Sequence, residues 1–258
     1  MKSTVRILAF FAVVSSPGFG GEAVAPATGY DNVHIRVSDP AKAAEWYVKY
    51  LGATTPAAGQ LYFGKALIAV VKTTNQQPSA GSVIDHIGLS YANLDDKIKE
   101  LEPSGAKIIS PPRDSPGVFR FAYIEDPWGV KIELVQDPEL TGFHHVHLRV
   151  ANPEASLRWY QEMFGGERSK LKGKIDGLRY GGVWLFTASS GGETPAPSAD
   201  RAIMSFGLQV AKIDESAAAL HRKGVKFPVE PRQLGDLWYA FAEDPDGVRV
   251  ELLQRPRN

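Results

Sequence analysis

A chain of 258 residues with 43% hydrophobic and 22% charged residues can bury the cores of two compact domains, which excludes disorder as its default state. Its 29 basic residues balance 29 acidic ones without a lysine- or arginine-rich run, so neither nucleic acid nor an anionic membrane surface is an expected partner. The absence of cysteine excludes a disulfide framework and a lipid-modified cysteine.

The first residues read as a secretory signal. Lys2 and Arg6 give a positive start, Ile7 to Val14 is an apolar run too short to span a bilayer, and small residues with a Pro-Gly break follow from Ser15. Residues 1–27 are therefore expected to be a signal peptide cut between 20 and 27, leaving a secreted or periplasmic protein with no membrane attachment in its mature form.

A strand comes next, with Val33, Ile35 and Val37 alternating against Asn32, His34 and Arg36, and Asp39-Pro40 opens a helix that ends at Gly52. Further strand character returns over 61–71. The same grammar restarts at Asp85, where His86, Gly88 and Ser90 alternate with Asp85, Ile87 and Leu89; a helix runs from about Leu94 to Gly105, and strands cover 118–124 and 129–136. The proline-rich stretch Ser110 to Gly117 reads as a rigid surface connection able to rim a binding site.

The second half repeats the first. Asn152-Pro153 through Gly165 lies over Asp39-Pro40 through Gly52, with Trp159-Tyr160 over Trp46-Tyr47, and both aromatic pairs are expected to pack in the core. Glu125-Asp126-Pro127-Trp128-Gly129, closing on Glu133-Leu134, recurs as Glu243-Asp244-Pro245-Asp246-Gly247, closing on Glu251-Leu252. Two domains are expected, 29–138 and 142–255, each of two strand-helix-strands units.

Residues two apart share a strand face, so His145, His147 and Arg149 stand opposite Val146, Leu148 and Val150. Polar faces bearing histidine and glutamate among aliphatics suggest the inside of a cup. By parity His144 falls on the wrong face and reads as structural, as does His221 on its helix. Arg36 and Arg149 share the polar faces, where they could bind a substrate carboxylate or pair with Glu133 and Glu251. Tyr123 and Tyr239, on late strands, are candidates for assisting proton transfer.

With Asp-Pro before the first helix, Trp-Tyr within it and Asp-Pro-x-Gly-x-x-x-Glu-Leu at the end, nearly the whole mature chain resembles the vicinal oxygen chelate superfamily. Glyoxalase I, extradiol dioxygenases, methylmalonyl-CoA epimerase and bleomycin-resistance proteins belong to it. The resemblance implies an α+β fold of two tandem glyoxalase/dioxygenase-like domains, each of two βαβββ units forming cupped mixed sheets. It implies metal ligands at set places, here Asn32, His86, Glu133, His145, Ser205 and Glu251, with His34 and His147 as substitutes; the place on the last strand of units one and three carries no carboxylate or amide.

If each domain closes on itself, the cups hold Asn32, His86 and Glu133, and His145, Ser205 and Glu251. If units two and three face each other, His86, Glu133 and His145 meet in one cup and the other is degenerate. Two imidazoles and a carboxylate suit one divalent ion, with Fe(II) favoured and Mn(II), Zn(II), Co(II) or Ni(II) also fitting. The expected function is a dioxygenase-like metal-dependent enzyme acting on a small molecule with vicinal oxygens. The alternatives are a glyoxalase-like lyase or isomerase and a metal-free binding protein of the bleomycin-resistance type. The protein is expected to be a monomer or homodimer.

Overall fold

In a computed structural model of the chain, the structure describes residues 23–75 and 77–256. The apolar run read as a secretory signal lies outside them. Val24 and Ala25, inside the expected cleavage window, donate backbone hydrogen bonds to Glu162 and Met163, and Ala25 is buried. Among the described residues no helix is long and apolar enough to cross a membrane.

Four units follow one another. The first is β1 (Ala27–Val37), α1 (Pro40–Trp46), β2 (Thr54–Ala57), β3 (Gln60–Phe63) and β4 (Ala66–Lys72); the second is β5 (Ile84–Ser90), α2 (Leu94–Leu101), β6 (Lys107–Ser115), β7 (Phe119–Glu125) and β8 (Lys131–Gln136). The third is β9 (Gly142–Val150), α3 (Pro153–Phe164), β10 (Glu167–Leu171), β11 (Ile175–Tyr180) and β12 (Val183–Ser189), and the fourth is β13 (Ile203–Val210), α4 (Ile213–Arg222), β14 (Lys226–Leu234), β15 (Leu237–Glu243) and β16 (Arg249–Gln254). The stretch expected to be a surface connection, Ser110 to Gly117, is mostly strand β6; Pro111 and Pro112 sit on a sheet edge, where no ladder donor is missed.

Local chemistry sets the unit boundaries. Asp39 and Asn152 cap α1 and α3 by accepting from the amides of Lys42 and Ala155, and a proline follows each cap, where a missing N–H does no harm. The repeated Asp-Pro-x-Gly is a turn with a purpose. Asp126 accepts from the amides of Trp128 and Val130, each at 2.8 Å, and Gly129 takes the φ of 83° that the turn requires.

In each unit the first strand runs parallel to the last, while the other neighbours are antiparallel. Units then join through their first strands, and they do so across the repeats: β1 pairs with β13 and β5 with β9. One eight-stranded mixed sheet therefore combines units one and four, and the other combines units two and three. Each repeat contributes one unit to each sheet. A single buried apolar cluster takes residues from all four units, among them Ile35, Leu89, Val146 and Phe206.

Two buried side-chain hydrogen bonds help to tie the sheets together. The Tyr47 hydroxyl, just after α1, donates to Asp126 at 2.8 Å, and the Tyr160 hydroxyl on α3 donates to Asp244 at 2.8 Å. Burial pushes both carboxyls up to about 7, although the turn amides and the phenols oppose the rise. Removing a donor from such an acceptor leaves its desolvation uncompensated. Tyr47→Phe is therefore expected to lower stability by about 1–3 kcal/mol in urea unfolding; an unchanged midpoint would show that the bond contributes nothing.

Candidate metal centre

In the sheet of units two and three, register brings three strands to one point. Gly88 on β5 lies opposite both His145 on β9 and Glu133 on β8, and His86 lies opposite His147. Gly88 is what lets the sides meet. A Cβ there would lie 2.1 Å from His145 Nδ1, so the bare backbone leaves room for the imidazole to lean across β5 toward Glu133.

Glu133 Oε2 stands 3.2 Å from His86 Nε2 and 3.0 Å from His145 Nε2. The His86 contact is a hydrogen bond, whereas His145 Nε2 is so directed that it makes none. The ligand atoms of His86, Glu133, His145 and His147 all lie within 4.8 Å of one another, and the first three residues are buried. Among the described residues this is the one cluster of three or more such groups able to hold a metal ion. The buried, unpartnered His145 Nε2 and His147 Nδ1 are what a cation would satisfy.

Burial opposes charge throughout, and the pairs decide which charges survive. Both imidazoles beside it hold Glu133 well below the ordinary carboxylate range despite its burial. Burial likewise disfavours a charged His86, but Asp85 and Glu133 raise it. Burial lowers His145, and burial with the neighbouring His86 and His145 lowers His147 well below its usual range, leaving it neutral. Tyr123 is pushed up by burial and by the charge on Glu133, and so remains a phenol.

Beside the cluster opens a cavity of about 220 Å³. Phe119, Phe121, Tyr123, Ile175 and Phe186 form its walls, with Arg113 and Ser115 from β6 on its edge. Phe186, opposite His147 on β12, occupies the strand that carries no carboxylate.

Strand parity misjudged two neighbours. Register shifts in the β5–β9 ladder leave Asp85 and His144 as extra residues, and such bulges re-aim side chains. Asp85 Oδ2 lies 2.7 Å from His86 Nδ1 and is paired with Lys131 at 2.5 Å. His144 Nδ1 lies 2.8 Å from His145 Nδ1, so His144 adjoins the cluster instead of facing away. The only sequence cue was the density of polar residues, Asp85-His86 and His144-His145-x-His147.

The other sheet collects Asn32, His34, Ser205 and Glu251. Asn32 Nδ2 donates to Glu251 Oε2 at 2.7 Å, and His34 Nε2 lies 3.3 Å from the same oxygen. Gly207 leaves the gap that Gly88 leaves in the first sheet. Asn32 and His34 are thus placed with Glu251, not with His86 and Glu133. Tyr239 is on β15 of this sheet, stacked edge-on to Phe241 and away from the cavity. Arg36 and Arg149 reach neither glutamate: Arg36 pairs with Asp200 and Arg149 with Glu193, because both sit near the far ends of long strands. His221 pairs with Glu230 on the surface.

A family model described as Glyoxalase/Bleomycin resistance protein/Dioxygenase superfamily matches residues 29–134 and again 142–252. No curated protein matches by sequence. Among solved structures, glyoxalase I from Zea mays superposes with a TM-score of 0.72 at 20% identity, covering 86% of this chain and 91% of that one. A "putative dioxygenase" from Bacillus subtilis gives a TM-score of 0.65 at 15% identity, covering 91% and 87%. At these identities the likeness is one of fold.

Proposed function

The chain belongs to the Glyoxalase/Bleomycin resistance protein/Dioxygenase superfamily, and from that premise we propose that it is a metal-dependent, dioxygenase-like enzyme acting on a small substrate with two neighbouring oxygens. The observation that carries this reading is the convergence of His86, His145 and Glu133, with the buried His145 Nε2 left without a partner. These three residues would hold the ion, with His147 as a fourth neighbour. When bound, a divalent ion supplies Lewis-acid and template chemistry.

The rest falls to the chain's own groups. Neutral His147 accepts a hydrogen bond from a substrate hydroxyl, and Tyr123, held as a phenol, donates one to a substrate oxygen. Phe119, Phe121 and Phe186 exclude water and orient a flat ligand, and a cavity of about 220 Å³ fits a single substituted ring. Strand β12, which brings Phe186 beside the cluster, carries none of the carboxylates that a glyoxalase-like reaction would want to move the proton, and this favours the dioxygenase-like reading. The secretory features at Lys2, Arg6 and Ile7 to Val14 support a secreted or periplasmic address.

A metal-free binding role is the second reading. It is favoured by the ability of Glu133 to form a self-contained ion pair with His86. The two are separated by loading the purified protein with Fe(II), Mn(II), Zn(II), Co(II) or Ni(II) and following oxygen uptake with catechols. About one bound equivalent with oxygen consumption is expected; retention of no metal under any supplement would leave only the binding role.

A further inference from the structure

We propose that His144 and Asp137 are positioning residues that fix the imidazole of His145 with Nε2 unprotonated toward the cluster, an inference that rests on the metal-centre reading above. The geometry assigns each hydrogen in turn. His144 Nε2 lies 3.4 Å from Asp137 Oδ2, and a carboxylate can only accept, so Nε2 of His144 carries the hydrogen. A neutral His144 then has a bare Nδ1. That atom is 2.8 Å from His145 Nδ1, so His145 must donate from Nδ1, which leaves its Nε2 bare.

Asp137 is held as the anchoring anion by Lys172 Nζ at 3.2 Å and by the Glu139 amide at 3.1 Å. Asp137, His144 and His145 are each at most 1% exposed, so water does not compete for these hydrogens. The bare Nε2 lies 3.0 Å from Glu133 Oε2 without pointing at it. Two acceptors that close call for a cation that both can bind from one side.

His86 has a similar backing with one member fewer, although its Nε2 keeps a hydrogen bond to Glu133. Its Nδ1 meets Asp85 directly, and Lys131 holds that carboxylate. Each imidazole is thus backed by an aspartate that is clamped by a lysine, and His144 spans the extra distance for His145. The other sheet offers an internal contrast. There the bulge residue beside Asn32 is Asp31, which is clamped by Arg255 at 2.6 and 2.7 Å, and no imidazole intervenes.

The test is ¹⁵N NMR of the imidazoles in the wild-type, metal-free chain, which needs no substitution. Hydrogen on Nε2 of His144 and on Nδ1 of His145 is expected; hydrogen on Nε2 of His145 overturns the inference. Zn(II) affinity gives the second readout. His144→Leu is expected to weaken it by about 10–100-fold, and His144→Gln, whose amide can still accept from His145 and donate to Asp137, should recover most of the loss. A folded His144→Leu chain, checked by its melting curve, with wild-type affinity also overturns the inference. Failure of the wild-type chain to take up zinc, with the hydrogens placed as stated, overturns the metal reading and leaves the positioning intact.

Discussion

Glu133→Gln is expected to take the chain from about one equivalent of retained divalent ion to less than about a tenth. Glu133 is the one carboxylate that meets both His86 and His145, and the amide keeps its volume while removing the negative charge. His86→Ala and His145→Ala should do the same. Ser205→Ala is the control: its hydroxyl is buried in the other sheet without a partner, and removing it should leave metal binding unchanged. Thermal unfolding offers a second check. Zinc at about a hundredfold over its dissociation constant should stabilise the wild-type chain by about 2.7 kcal/mol and the E133Q variant not at all. Metal retention in E133Q equal to wild type would remove Glu133 from the centre.

Separating the repeats should be as severe. Residues 29–138 expressed alone contain His86 and Glu133 but not β9, and so lack His145 and the strand that pairs with β5. The half-chain should bind zinc at least about a hundredfold more weakly than the whole, and its unpaired β1 and β5 edges should make it self-associate. Co-expression with residues 139–258 should restore binding, because the two first-strand ladders can form between separate chains. Wild-type affinity in the first half alone would mean that it closes on itself and that His145 is no ligand.

Much of this was legible in the sequence because the repeat is a physical one. Asp126 and Asp244 head turns that need their carboxylates, and Gly52 and Gly165 stop helices with positive φ values of 76° and 75°. Which units share a sheet was not legible: β1 and β5 alternate alike, and nothing in either strand names its partner. Parity placed His86, Glu133, His145 and His147 on polar faces, and they meet. It failed at Asp85 and His144, where an extra residue in the ladder turns a side chain that should face away. It also overreached at Arg36 and Arg149, since a shared face says nothing of position along a strand.

The Tyr47–Asp126 and Tyr160–Asp244 bonds bear on more than stability. They run between sheets but within a repeat, so the chain has the connectivity of two copies that have traded halves. Once that trade takes place inside one polypeptide, the two centres are no longer obliged to be alike. The ligands of one can lapse to Asn32 and Ser205 while the other remains whole, provided the cross-ties endure. The sheet without the histidine cluster is then a scaffold whose loss would dismantle its neighbour.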